Sequence, residues 1–294
     1  MGLPDTSPSQ HGLIDALLPP DMAQACENVG LAKANRDPLA LLVLGILAGA
    51  FIAFGGLFST VVLSGSDALP WGVARLLAGL VFSLGLILVI VGGAELFTGD
   101  TLMVMAYASD KISFSRLLRV WGLVYIGNIV GSLATVALVF ASGHYGYGGG
   151  LIGKTALGIA TSKSALPAMQ VLALSILCNV LVCLAVWMCF GARSITDKVM
   201  VIVPPIAAFV AAGFEHCVAN MYLLPFGLAI KYWGDASFWT RTGLSPETYA
   251  ALTPENVLHN ISIATLGNLI GGSLLVGIVY WFVYLRPRLR TSSQ

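Results

Sequence analysis

Charged residues are scarce in this chain of 294 residues, where Asp, Glu, Lys and Arg together make up only 10%. A water-soluble domain carries about 25% charged residues, so a surface this poor in charge is unsuited to water. Hydrophobic residues make up 57% of the chain, and the mean hydropathy is +0.87. The composition therefore predicts a polytopic membrane protein whose main partner is the lipid bilayer.

Several other features are missing, and each absence excludes a class of protein. The formal net charge is +1 and no basic cluster is present, which excludes a nucleic-acid-binding face. The five cysteines are odd in number and lack metal-ligand spacing, so we expect neither a disulfide framework nor a metal site. The histidines are scattered, and no protease-like serine motif or nucleotide-binding motif occurs. We therefore expect no cofactor and no enzymatic activity.

Six apolar segments are long enough to cross a bilayer as helices of about 20 residues. Most of the basic residues lie before the first span, in the second and fourth connections, and after the last span. By the positive-inside rule, both termini are predicted to be cytoplasmic. The predicted spans are residues 39–63, 72–94, 120–141, 165–192, 199–230 and 261–285.

The predicted organisation has three parts: a cytoplasmic N-terminal segment (1–38), a six-span channel domain (39–285) and a cytoplasmic C-terminal tail (286–294). Within the first part, residues 21–34 combine apolar positions at helical spacing with acidic residues and a lysine. This pattern indicates an amphipathic helix at the membrane surface.

One motif recurs in the third and sixth predicted spans, as GNIVG at 127–131 and GNLIG at 267–271. Small residues at this spacing also allow close helix packing, so convergence is an alternative to repetition. If the repeat is real, its halves are about 39–142 and 165–285, with three spans each. An odd number of spans reverses the direction of the second half, which predicts an all-α inverted repeat of the kind found in transporters.

The middle span of each predicted half is interrupted, by GGAELFTGD at 92–100 and by GFEH at 213–216. Paired breaks of this kind point to a transport site, and ionisable residues at membrane depth normally face a cavity or a partner. We expect Glu95 and Glu215 to be structural, accepting hydrogen bonds from backbone N–H groups freed at the breaks. We expect His216 to be functional, because imidazole gains or loses a proton near pH ~6.5.

Three stretches resemble the formate/nitrite transporter family: VGGAELFTG at 91–99, LCNVLVCLA at 177–185 and GFEHCVANM at 213–221. The similarity extends from about residue 39 to 285. It implies an aquaporin-like fold with broken second and fifth helices, assembled as a homopentamer in the bacterial inner membrane. It also implies one pore in each subunit, carrying a small anion passively or coupled to protons, without a cofactor.

The resemblance also implies roles for individual residues. The central pore histidine falls on His216, the threonine of the span-two loop on Thr98, the pore asparagine on Asn179 and an anion-attracting extracytoplasmic lysine on Lys163. Asn220 joins the two glutamates as a structural residue at the breaks. The implied constrictions are Leu86 and Phe209 on the cytoplasmic side, and Phe82, Leu96, Phe97 and Val182 on the extracytoplasmic side. From periodicity alone, Phe82, Leu86 and Phe209 could equally be helix-packing residues.

The substrate follows less directly from these residues. FEH at 214–216, SITDK at 194–198 and MVMA at 103–106 are most similar to formate channels, whereas FTG at 97–99 is closer to the nitrite branch. Asp100 would oppose an anion unless it is paired. We expect formate, with nitrite, hydrosulfide or an acetate-type anion as alternatives. A neutral-solute channel is the rival from another class, but its usual paired Asn-Pro-Ala motif is absent.

Overall fold

The computed structural model describes residues 16–286, and this part of the chain is helical without any strand. Its α-helices are α1 (Pro19–Ala34), α2 (Pro38–Leu63), α3 (Trp71–Gly92), α4 (Phe97–Asp100), α5 (Val104–Ala108), α6 (Phe114–Ala141), α7 (Leu151–Ser164), α8 (Ala168–Gly191), α9 (Ile195–Ala212), α10 (Cys217–Trp233), α11 (Ala236–Thr242) and α12 (Pro254–Leu269). The last helix continues in π-helical turns at Ile270–Ile278 and Trp281–Leu285. Short 3₁₀ segments lie at Ser66–Ala68, Thr101–Met103, His144–Gly146, Gly148–Gly150 and Pro246–Tyr249.

The predicted number of spans is confirmed. In the described part of the chain, six helical stretches are long and apolar enough to cross a membrane: α2, α3, α6, α8, α9 and the stretch Pro246–Leu285 that contains α12. The expected breaks in the second and fifth spans are confirmed as well. Helix α3 ends at Gly92 and helical structure resumes at Phe97, while α9 ends at Ala212 and resumes at Cys217.

Both breaks begin at a glycine in the left-handed backbone conformation, with φ of 79° at Gly93 and 77° at Gly213. A side chain in this conformation meets the following carbonyl oxygen, so glycine is the residue best able to end a helix in this way. The sequence thus sets both breaks at matching places in the two halves.

The recurring glycines hold neighbouring helices close together. A Cβ atom on Gly131 of α6 would lie 1.9 Å from the Ile46 carbonyl oxygen of α2, and one on Gly271 would lie 2.3 Å from the Ile176 carbonyl oxygen of α8. Only glycine permits backbones to approach this closely. The same motif therefore makes the same kind of contact in both halves, which supports the predicted repeat.

Two regions outside the predicted spans are also helical. Helix α1 covers the segment for which an amphipathic helix was expected, and it buries the face that carries Ala23, Cys26 and Gly30. Helix α7 lies in the connection before the second half, where no helix was predicted. The predicted C-terminal tail lies outside the described residues beyond Arg286, as do residues 1–15 of the N-terminal segment.

Candidate functional site

The first break is held by Asn128, the asparagine of the recurring motif. Its Oδ1 atom accepts a hydrogen bond from the Phe97 backbone N–H (3.0 Å). Its Nδ2 atom donates to the carbonyl oxygens of Gly45 (2.8 Å) and Glu95 (3.0 Å). One buried side chain thus satisfies two backbone groups at the break, the Phe97 N–H and the Glu95 carbonyl, and ties them to the Gly45 carbonyl of α2.

The second break is held in the same way by Asn268. Its Oδ1 atom accepts from the Cys217 backbone N–H (2.9 Å), and its Nδ2 atom donates to the carbonyl oxygens of Ser175 (2.7 Å) and Glu215 (3.0 Å). Both asparagines are fully buried. The glycines of the repeated motif therefore pack neighbouring helices together, and its asparagine stabilises each break.

The two break glutamates bind side chains, which differs from the expected contacts with freed backbone N–H groups. Glu215 forms an ion pair with Lys163 (2.6 Å) and accepts from Asn220 Nδ2 (2.6 Å). Glu95 forms ion pairs with Lys33 (2.5 Å) and Arg36. The reason for the difference is that the asparagines and preceding carbonyls already satisfy the backbone at the breaks.

Asp100 would oppose an anion if it were unpaired. It forms an ion pair with Lys33, whose Nζ atom lies 2.5 Å from Asp100 Oδ1. Helix α1 supplies that lysine, so one cation serves both Glu95 and Asp100. Burial alone would lower the pKa of Lys33, but the Asp100 and Glu95 carboxylates outweigh it and raise this pKa above its ordinary value. The lysine is therefore held in its charged form.

His216 and Thr98 meet where the two broken helices resume. The His216 Nε2 atom lies 2.9 Å from Thr98 Oγ1, and both side chains are buried. His216 is also the N-cap of α10, since its Nδ1 atom accepts from the Ala219 backbone N–H (3.0 Å). An accepting Nδ1 places the proton of the neutral imidazole on Nε2, which therefore donates to Thr98.

A cavity of about 530 Å³ ends at His216, and we name it the Lys163 cavity after the lysine in its wall. Phe82 and Phe209 both line it, with ring centroids 5.5 Å apart in an edge-to-face arrangement. The Phe209 ring also lies over the His216 ring at 5.9 Å. The structure thus places Phe209 in contact with Phe82 beside the break and its histidine. The grouping of Phe209 with Leu86 in one constriction stays a prediction.

A second cavity of about 300 Å³, the Lys33 cavity, lies at the first break. Its charged lining residues are Lys33, Arg36, Glu95, Asp100 and Lys198. Lys198 forms no ion pair with any residue in the range 16–286.

Buried apolar side chains separate the two cavities. On α3, Phe82 lines the Lys163 cavity, Val89 lines the Lys33 cavity, and Leu86 lies between them without lining either. The remaining residues expected at constrictions are also at least 96% buried and line neither cavity: Leu96, Phe97 and Val182. The Phe97 ring packs against Tyr125 of α6 with centroids 4.9 Å apart.

Asn179 lies behind Thr98 and lines neither cavity. Its Nδ2 atom donates to the carbonyl oxygens of Asn268 (2.6 Å) and Thr98 (3.2 Å). The side chain therefore links the two breaks and fixes the backbone of Thr98, the residue that contacts His216.

Sequence reasoning passed over three residues that shape this region. Asn128 and Asn268 were noted as a repeat signature but not as site residues, although an amide inside an apolar span is itself a signal. Arg75 was counted only in the charge balance. It lies in the second turn of α3 and lines the Lys163 cavity, and an arginine within an apolar span could have singled it out.

Comparison with known proteins gives a consistent result. A family model described as formate/nitrite transporter matches residues 20–282. Formate channel FocA of Escherichia coli (strain K12) is 44% identical over 273 residues, covering 92% of this chain and 96% of FocA. Formate channel FocA of Haemophilus influenzae is 39% identical over 264 residues, covering 90% of this chain and 93% of its own length.

A solved structure described as a pentameric formate channel with formate bound has the same fold. It aligns with a TM-score of 0.81 at 46% sequence identity, covering 85% of this chain and 98% of the other. The family model spans most of the chain, and the sequence and the fold agree with it. This multi-pass membrane protein belongs to the formate/nitrite transporter family.

Proposed function

We propose that this chain is a channel for small monovalent weak-acid anions, with formate as its substrate and nitrite as the alternative within the family. Two relatives named formate channel FocA and a solved formate channel support this assignment. The chain acts by transport rather than catalysis. It assembles as a homopentamer, which is supported by the similar solved structure described as pentameric, and each subunit holds one pore.

The bacterial inner membrane is the location we assign, with both termini in the cytoplasm. The imbalance of Lys and Arg between the two sides supports this orientation. In this orientation Lys163 and its cavity face the extracytoplasmic side, and Lys33 with helix α1 faces the cytoplasm.

The observation that carries the proposal is the hydrogen bond between His216 and Thr98 at the inner end of the Lys163 cavity. A charged anion cannot cross the buried apolar side chains beyond it, because removing an ion from water costs far more than one hydrogen bond returns. A weak-acid anion escapes this barrier if it takes up a proton. A neutral acid molecule then passes between Phe and Leu side chains with little penalty.

The geometry around His216 supports one way of holding the anion. Since His216 Nε2–H donates to Thr98 Oγ1, the hydroxyl proton of Thr98 is free to donate to an arriving carboxylate oxygen. An imidazolium would carry an additional proton on Nδ1, facing the Ala219 N–H. Protonation of His216 therefore breaks its helix-cap bond. In the resting arrangement the Thr98 hydroxyl is the donor, backed by a neutral histidine.

Flux measurements in proteoliposomes test the substrate and the histidine together. Formate and nitrite uptake are compared near pH 7.5 and near pH 5.5. We expect selective formate uptake that rises toward pH 5.5, because the proton that neutralises formate comes from solution. His216→Ala should lower uptake at both pH values, because the imidazole that orients the Thr98 hydroxyl is gone. Faster nitrite uptake would change the substrate but keep the family. Glycerol-driven swelling would instead favour a neutral-solute channel.

A threonine series tests the hydrogen-bond donor. Thr98→Val keeps the side-chain shape but loses the hydroxyl, so we expect formate flux to fall about tenfold, the equivalent of one hydrogen bond of about 1.4 kcal/mol. Thr98→Ser should retain most of the flux. The matched control is Val218→Thr, which adds a hydroxyl at the equivalent position of the second break. Val218 stands three residues after Glu215, as Thr98 stands three residues after Glu95. Wild-type flux in Thr98→Val would contradict the proposed donor.

A further inference from the structure

Three residues in the wall of the Lys163 cavity are charged at neutral pH, apart from the histidine at its end: Arg75, Lys163 and Glu215. The other polar side chains there are neutral, including Ser59, Thr60, Thr155, Ser162 and Gln170. The potential inside the cavity therefore depends on how these three charges are arranged.

Lys163 contributes little net charge, because it is bound to Glu215. The Nζ–Oε1 distance is 2.6 Å, and the glutamate side chain is only 1% exposed. Asn220 Nδ2 donates to the other carboxylate oxygen at 2.6 Å, so both carboxylate oxygens have partners. At a distance of several ångströms such a pair is a dipole, and an anion in the cavity gains little from the lysine alone.

Arg75 has no such compensation. It forms no ion pair with any carboxylate in the part of the chain that the structure describes. Its Nε donates to the Ala211 carbonyl oxygen (3.2 Å), and its Nη2 donates to the Val210 carbonyl oxygen (2.7 Å). The guanidinium also lies over the Trp71 ring at 5.8 Å. These partners are uncharged, so the cavity carries one net positive charge, and it resides on Arg75.

We propose that Arg75, rather than Lys163, is the residue that captures the anion in this cavity and sets its preference for negative charge. A guanidinium has five N–H donors in a fixed plane, and the two carbonyl contacts leave others for a small carboxylate or nitrite. Its charge cannot be lost by deprotonation, so capture persists across the pH range in which a weak acid is carried. This inference rests on the proposed anion-channel function.

Arg75 has a second role that a test must separate from capture. Its two contacts hold the last turn of α9, directly before Gly213, and a Cβ on Gly213 would lie 3.1 Å from Nη2. Removing the side chain therefore removes both a charge and a clamp. Arg75→Lys keeps the positive charge but loses the planar set of N–H donors. Gln170→Glu adds a compensating negative charge to the same cavity while Arg75 and its contacts stay in place.

The test measures initial uptake of labelled formate into proteoliposomes, at formate concentrations well below saturation and at two ionic strengths. Charged clefts raise association rates by 10- to 10³-fold, so we expect Arg75→Gln and Gln170→Glu each to lower uptake about tenfold at ~0.01 M salt. The loss should shrink at ~0.15 M, where the Debye length falls from about 30 Å to about 8 Å. Arg75→Lys should retain most of the uptake.

Two controls define the alternative. The double variant Lys163→Gln, Glu215→Gln removes both charges of the pair and leaves the net charge of the cavity unchanged, so the ratio of its uptake at ~0.01 M salt to its uptake at ~0.15 M salt should match that of wild type. Lys154→Gln removes an exposed cation of α7 that does not line the cavity. Melting in detergent is recorded for every variant, so that loss of the clamp is distinguished from loss of charge.

The inference is overturned if Arg75→Gln and Gln170→Glu behave like Lys154→Gln, or if the double variant loses as much of the salt dependence of uptake as they do. Failure of the proposed substrate gives a different pattern. If wild-type protein carries nitrite but not formate, the same variants are tested with nitrite, and the salt-dependent loss should remain. If wild-type protein carries neither anion, both the function and the role of Arg75 are rejected.

Discussion

The two helix breaks are stabilised by the same kinds of residue but differ in the side chains they present to each other. Each begins at a glycine with φ near 78°, contains a glutamate bound to a lysine, and is closed by an asparagine with three backbone contacts. Directly after the glutamate stands Leu96 in the first break and His216 in the second. Three residues after it stand Thr98 in the first and Val218 in the second.

The residues that differ between the breaks are the ones that form the Thr98–His216 contact. A repeat needs the same backbone support in both halves, so the glycine, glutamate and asparagine recur. Thr98 and His216 come from opposite halves, so one hydroxyl and one imidazole suffice for the contact between the breaks. Identity between the halves therefore marks the support, and divergence marks the candidate site.

The largest expected effect comes from the asparagines. Asn128→Leu and Asn268→Leu each strand two buried backbone groups at a break, one N–H and one carbonyl, and each unsatisfied group costs about 1–3 kcal/mol. We expect both variants to lose folded yield and to melt far below wild type in detergent. Ser132→Ala is the control. It also removes a buried hydrogen bond from α6, but the acceptor is the Gly49 carbonyl oxygen inside helix α2 and not a group at a break. A mild effect of one asparagine variant and a severe effect of the other would show that the breaks are not equivalent.

A smaller loss of stability is expected from changes around Asp100, a carboxylate of the first break that has no counterpart in the second break. Five residues after the glutamates stand Asp100 and Asn220, and Asp100 depends on Lys33. Lys33→Met leaves Asp100 buried without its cation, and breaking a buried ion pair in this way costs about 3–5 kcal/mol. Adding Asp100→Asn removes the stranded charge and should restore most of the lost thermal stability, as measured by melting in detergent.

The control for that cycle is Lys198→Met, which removes a cation of the same cavity that has no ion-pair partner among residues 16–286. We expect it to melt close to wild type. If the double variant Lys33→Met, Asp100→Asn melts no higher than Lys33→Met alone, the lysine stabilises the protein through Glu95 and not through Asp100.

The spans and both breaks could be predicted because they depend on local sequence: apolar length, a glycine and an intramembrane glutamate. Helix α7 was missed although Ile152, Ala156 and Ala160 follow helical spacing, because its 14 residues are too short and polar for a span. The glutamate partners could not be predicted, since Lys33 and Glu95 are far apart in the chain. Such pairing, like the clamp of Arg75 on α9, is decided by how the helices pack.

The smallest expected effect concerns the glycines that begin the breaks. Gly93→Ala places a Cβ in open space, so only the left-handed backbone opposes it, at about 1–2 kcal/mol. Gly213→Ala has the same backbone conformation, but its Cβ would lie 3.1 Å from Arg75 Nη2. The guanidinium must then shift, which weakens its contacts with α9. We expect Gly213→Ala to melt lower than Gly93→Ala.

The difference between the two glycine variants should disappear when each is combined with Arg75→Gln, because the shorter side chain no longer reaches the new Cβ. Melting of the three single and two double variants, compared with wild type, gives the coupling directly. Equal melting of Gly93→Ala and Gly213→Ala with Arg75 intact would mean that the arginine does not support the second break. Arg75 would then contribute only its charge to the cavity, and the two breaks would be alike in their backbone support.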